Sequence, residues 1–142
     1  MPAAYNKFNA FTEDVCEKKH DLGADTLKLL LTLTAPVATN SVKADLTEIA
    51  PGNGYSAGGN TITVTTSAQA SGTYTLAANQ VVFTASGGPF ANLRYVVFYN
   101  STPAAGPLIA WWDYGVTLTL NDGETLTVKF NSASPGTIFT LV

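Results

Sequence analysis

The chain has 142 residues, a net charge of −3 and a pI near 4.8, with 12% charged and 46% apolar residues. That length suits one domain, which buries about 68–70% of its unfolded surface and needs no disulfide or metal to hold it. The charged share is about half the usual ~25%, and the seven basic residues are scattered, with Lys18-Lys19 the only adjacent pair. This balance argues against nucleic acid, whose binding rests on Lys and Arg at phosphates.

No apolar run approaches the roughly 18–20 residues of a membrane span, so no membrane partner is expected. The opening Met1-Pro2-Ala3-Ala4-Tyr5 lacks the basic start and apolar core of a signal peptide, which predicts synthesis and first use in a cytoplasm. A single Cys16 cannot form an intrachain disulfide.

In chain order, Asn6 to Asp21 carries most of the early charge, with Phe8, Phe11, Val15 and Leu22 at steps of three, four and seven. That period predicts an amphipathic helix whose C-terminal dipole favours Lys18 and Lys19, stopped by Gly23. From Leu27 the period becomes two. Leu27, Leu29, Leu31, Leu33 and Ala35 are expected on one face, with Lys28, Thr32 and Thr34 on the other and Leu30 covered by the helix.

Between Ile49 and Leu93 there is no Asp, Glu, Lys, Arg or His. That third of the chain offers sheet and turns but none of the titratable groups that acid–base catalysis or nucleophile activation requires. Strands are predicted over Thr61–Ser67, Thr73–Ala77 and Gln80–Ala85. Leu93–Tyr99 and Leu108–Tyr114 are apolar on both faces and read as central strands. Val116–Leu120 and Glu124–Phe130 flank Asn121-Asp122-Gly123, a hairpin signal, and Ile138–Val142 closes the sheet. The expected fold is mainly β, an antiparallel two-sheet sandwich of jelly-roll type with one N-terminal α-helix. Residues 1–142 form a single domain, with 1–23 as arm and helix and 24–142 as sandwich.

The candidate chemistry is sparse. Cys16 and His20 stand four apart on the predicted helix near Glu13 and Glu17, but structural zinc takes four protein ligands and the chain has one Cys and one His. Cys16 is therefore read as a core-facing hydrophobe and His20 as a solvated helix-end residue, with no metal or other cofactor expected. A nucleophile–base pair would have to use the same His20, and no Gly-x-Ser-x-Gly elbow accompanies it. Asp113, Asp122 and Glu124 are the late carboxylates, and the last two belong to a turn rather than a sugar-enclosing pair.

Gly52-Asn53-Gly54-Tyr55-Ser56-Ala57-Gly58-Gly59 lacks the Lys-Ser/Thr ending of a phosphate loop and reads as a flexible or partner-ordered loop. Asn100-Ser101-Thr102 fits a glycosylation sequon by chance. Trp111-Trp112-Asp113-Tyr114 carries the functional expectation. Trp112 and Tyr114 share one strand face and Trp111 takes the other. One Trp belongs to the core, while the other is an interface anchor, a core residue of a two-sided strand, or a sugar platform. Phe8, Phe11, Trp111, Trp112 and Tyr114 are the candidate interface residues.

A set of ordered segments carries a resemblance. It begins with Tyr5-Asn6-Lys7-Phe8, Glu13-Asp14, Leu27–Pro36, Thr47-Glu48-Ile49-Ala50, Gly52-Asn53-Gly54-Tyr55 and Gly58-Gly59. Arg94-Tyr95-Val96-Val97, Tyr99-Asn100, Pro107-Leu108-Ile109, Trp112-Asp113-Tyr114-Gly115 and Gly123-Glu124-Thr125 complete it. The pattern resembles small virion structural proteins of tailed bacteriophages over nearly the whole chain. The resemblance implies a non-enzymatic, multi-copy capsid decoration (cement) protein on the capsid exterior, made in the host bacterial cytoplasm. Its implied partners are the major capsid protein and further copies of itself. The other roles in view are a tail or fibre component, or a carbohydrate-binding module that attaches particles to a surface glycan.

Overall fold

The computed structural model describes residues 3–142; the first two residues of the expected N-terminal arm lie outside the described residues. The chain is mainly β, with antiparallel sheets and one α-helix. Its elements are β1 (Asn6–Lys7), α1 (Asn9–Cys16), β2 (Leu27–Thr32), a 3-10 turn (Lys43–Asp45), β3 (Asn60–Thr61) and β4 (Val64–Ala70). They continue as β5 (Thr73–Ala78), β6 (Val81–Thr84), β7 (Leu93–Asn100), β8 (Leu108–Leu118), β9 (Thr125–Val128) and β10 (Gly136–Leu141). Among the described residues the strands divide into three sheets, ordered β1-β8-β7-β2-β3, β10-β5-β4 and β6-β9.

The main core lies against one face of the five-stranded sheet, where Leu29, Leu31, Val96, Phe98 and Ala110 meet Leu76, Phe83, Leu126 and Ile138 from the smaller sheets. The opposite face holds a second cluster of Phe8, Leu30, Val97, Tyr99 and Leu108, with Leu46 and Trp111 packed at its margin. Leu30 is covered, but not by the helix as expected: Phe8, which precedes α1, and Leu46 beside the 3-10 turn do so, while the helix residue Phe11 packs into the main core. Burial of an apolar side chain of this size contributes about 1.5–3 kcal/mol, and both faces of β2 and β7 collect it.

The helix is shorter than its apolar period suggests. Its last turn closes with the Lys19 amide donating to the Asp14 carbonyl (2.9 Å) and the Lys18 amide to the Val15 carbonyl (3.4 Å). Lys18 sits in the left-handed region (φ 65°). That is a Schellman end with lysine where glycine is usual, so the helix stops before Glu17 rather than at Gly23, and Lys18 and Lys19 lie beyond its last turn.

Other expectations change for tertiary reasons. Leu33 and Ala35 are exposed because β2 ends at Thr32, whose hydroxyl donates to the Thr47 carbonyl (2.6 Å). The stretch from Thr61 to Ser67 splits between β3 and β4, with Ile62 buried at the break. Leu108–Tyr114 and Val116–Leu120 merge into the single strand β8. The Asn121–Gly123 turn forms, but its flanks are not a hairpin: β8 pairs with β7, and β9 with β6.

The glycine-rich segment is fixed by the chain itself, not left for a partner to order. Tyr55 is buried, its hydroxyl donates to Glu48 Oε1 (2.6 Å) and accepts from the Leu31 amide (3.1 Å). The Gly58 amide also donates to Glu48 Oε1, and its carbonyl accepts from the Tyr99 hydroxyl (2.7 Å). At Gly59 (φ 76°) a Cβ would lie 1.7 Å from the Leu29 carbonyl oxygen, so the backbones approach as only glycine permits.

Candidate functional site

The five candidate interface residues separate. Phe8 and Phe11 are buried in the chain's own clusters, so they are packing residues rather than partner anchors. Phe8 stacks on Trp111 at 4.5 Å between ring centroids, and Phe11 meets Phe139 edge-on at 5.6 Å. They turn inward because the arm pairs with β8, Asn6 opposite Trp111 and Lys7 opposite Ala110, which seats the helix on its own sheet.

Trp111 and Trp112 are each half-buried and face opposite sides of β8, as strand alternation requires. Tyr114 shares the Trp112 side and is 52% exposed. The Trp112 ring is braced edge-on by Tyr5 (5.8 Å, 70° between planes) and by Phe130 (5.8 Å). These rings and Phe139 border a cleft of 860 Å³ whose rim is Thr127, Lys129, Asn131, Ser132, Thr137 and Thr140. Burial pushes the Tyr5 hydroxyl up to about 12, so it stays a neutral donor at any physiological pH.

Between the two cleft residues of β8, Asp113 points to the other face and makes a two-pronged ion pair with Arg94, Nε to Oδ1 at 2.8 Å and Nη2 to Oδ2 at 3.0 Å. Arg94 and then the Gly115 amide hold the Asp113 carboxyl below its ordinary range. The other late carboxylates hold turns: Asp122 accepts from the Gly87 amide (2.9 Å) and Glu124 from the Asn121 amide (2.8 Å). Asp113, Asp122 and Glu124 therefore serve separate local contacts.

Cys16 and His20 exchange their expected environments. Cys16 is exposed on the short helix. His20 is buried, because the Schellman end turns it inward against Asn100 at the end of β7. The Asn100 amide donates to His20 Nδ1 (3.2 Å) and to Asp25 Oδ2 (2.5 Å). With Nδ1 accepting, the proton of the neutral ring sits on Nε2, which is buried without a partner among the described residues. Burial lowers the His20 pKa, against the raising influence of Asp14 and Asp25.

Among the described residues His20 meets the Asn100 amide and hydrogen-bonds to no hydroxyl or thiol. Asn100, the sequon residue, is fully buried and so closed to modification. Both Cys16 and His20 border a second, more apolar cleft of 830 Å³ between α1 and β10. Among the described residues no group of three or more His, Cys, Asp or Glu is placed to hold a metal, and no helix is long and apolar enough to cross a membrane.

Tyr5, Phe130, Phe139 and the Asn131-Ser132 turn entered the cleft unforeseen. The arm reaches β8 by long-range pairing, β9 and β10 are set beside it by their pairing with β6 and β5, and the local signal was the turn chemistry before Pro135. No family model matches the chain, and neither the curated proteins nor the solved structures yield a match.

Proposed function

We propose that this chain is a non-enzymatic structural protein of a tailed-phage virion, a decoration protein bound to the capsid exterior. Its two layers would form a jelly-roll-like sandwich, the five-stranded sheet facing the two smaller ones. Beside the resemblance over most of the sequence, the observation that carries this reading is the outer edge of β8. Among the described residues β1 covers only Ala110 and Trp111, and no strand pairs with the remainder on that side. Tyr114 and Val116, 61% exposed, project from this uncovered length. Soluble proteins normally protect such an edge with charge, proline or a covering element. An edge that pairs with no strand among the described residues and carries exposed Tyr114 and Val116 beside the Asp113–Arg94 pair suits a surface that a neighbouring subunit covers.

The mechanism is additive. Each copy bridges capsid subunits with an interface on the order of 1,000 Å² or more, and many weak contacts together resist the pressure of packaged DNA. Mixing the purified protein with expanded heads that lack it gives saturable binding at a copy number fixed by the lattice. Val116→Lys weakens that binding without unfolding the protein. Absence from heads with incorporation into tails would overturn the decoration role in favour of a tail or fibre role.

A further inference from the structure

We propose that the cleft floored by Trp112 and Tyr114 is a binding site for a neutral oligosaccharide. The inference does not rest on the decoration role, because saccharide binding is read on the isolated protein and head binding on particles.

Sugars present apolar C–H faces and polar edges, so a receptor needs a fixed aromatic surface beside uncharged hydrogen-bonding groups. The cleft has both. Trp112 is flanked within the cleft by Tyr5 and Phe130, each at 5.8 Å, and two residues along the same strand face Tyr114 is open to solvent. Asn131, Ser132 and Thr137 also line the cleft, and their side chains make no hydrogen bond among the described residues.

Asn131 and Ser132 are both held in the left-handed region, φ 50° and 58°. Consecutive non-glycine residues adopt that conformation at a conformational cost, and such residues cluster where side chains must be aimed. Here they form the tip of the turn closed by the Phe130–Ala133 bridge, at the rim of the cleft.

The charge pattern selects among ligands. Among the described residues Lys129 is the one charged residue lining the cleft, and no carboxylate of theirs lines it to receive a cationic ligand. Single-stranded nucleic acid, which also stacks on aromatic rings, needs a continuous positive groove that one lysine does not make. The volume of 860 Å³ falls within the range of about 300–1,000 Å³ typical of ligand clefts.

Titration of the protein with cellohexaose, maltohexaose and the hexamer of N-acetylglucosamine, followed by tryptophan emission and calorimetry, tests this. At least one of the three perturbs the emission and binds with micromolar to millimolar affinity. Tyr114→Ala weakens it by about tenfold or more, as does Asn131→Gly, which keeps the left-handed backbone and removes the amide. Both variants retain the wild-type melting temperature. Trp111→Phe, on the other sheet face, leaves affinity unchanged and assigns the emission change to Trp112. No binding by any of the three at millimolar concentration overturns the proposal. So does undiminished binding in the two cleft variants, or binding restricted to polygalacturonate and abolished by Lys129→Gln.

Discussion

At Leu29 the side chain is wholly buried between the five-stranded sheet and the smaller sheets. A carboxylate placed there has no partner, and the cost of an unpaired buried charge rivals the 5–15 kcal/mol stability of a whole domain. Leu29→Asp is expected to leave the chain unfolded, as insoluble protein or without a cooperative transition in circular dichroism. Soluble, folded Leu29→Asp protein would refute the register of β2. His20 makes a different statement. Its folded pKa lies below the ordinary value, so below about pH 6.5 the unfolded chain binds the proton more readily. Stability is therefore full above that value and declines as pH falls from it toward the lowered folded pKa. Denaturant titrations at pH 7.5 and 5.5 should show this decline in the native protein and a smaller one in His20→Gln. An equal decline in both would assign the effect to the carboxylates instead.

At the scale of elements, the N-terminal arm and α1 behave as part of the fold rather than as a detachable hook. Phe8 is fully buried against Trp111, and its amide donates to the Ile109 carbonyl (3.1 Å). Phe8→Ala is expected to lower the unfolding free energy by about 3–5 kcal/mol, measured by urea denaturation, and removal of residues 1–22 to cause aggregation through the uncovered Leu30 face. An unchanged midpoint for Phe8→Ala would mean that the arm leaves the sheet in solution. The same scale shows what the sequence made legible. Strands β5, β6 and β10 lie within two residues of their expected bounds at each end, because alternation between turn residues is a local property. The pairing of Trp112 with Tyr114 on one face was legible for the same reason. The helix end was not, since it depends on Lys18 accepting a glycine conformation. Nor was the burial of His20, which comes from Asn100, 80 residues away. The Asn121–Gly123 turn was correctly placed but misled about partners: Gly123 and Glu124 hydrogen-bond to Ala85, drawing β9 onto β6. Turn chemistry sets where a chain reverses, not which strand receives it.

At the scale of the whole molecule, a net charge of −3 spread over few charged residues gives little repulsion between copies. The proposed self-contact would use the outer edge of β8, which beyond Trp111 pairs with no strand among the described residues, although the Gly115 amide already donates to Asp113 (2.7 Å). Sedimentation velocity is expected to show a concentration-dependent dimer in the native protein and a monomer in Val116→Lys. A Val116→Lys dimer of undiminished strength would move the self-contact elsewhere.

The phenol of Tyr55 bears on how far such growth can run. It sits where β3 has ended, and together with Glu48 and Ile49 it occupies the far margin of β2. A side chain thus stands in for a strand where β3 does not reach, and the free part of that margin shrinks to the two residues of β3. Two copies meeting at their β8 edges about a two-fold axis cover the longer free margin of each. A ribbon needs both margins to propagate, so a two-residue far margin makes a pair the expected end point of the proposed self-contact. Under the proposed decoration role, any larger array would take its order from the capsid lattice rather than from this sheet.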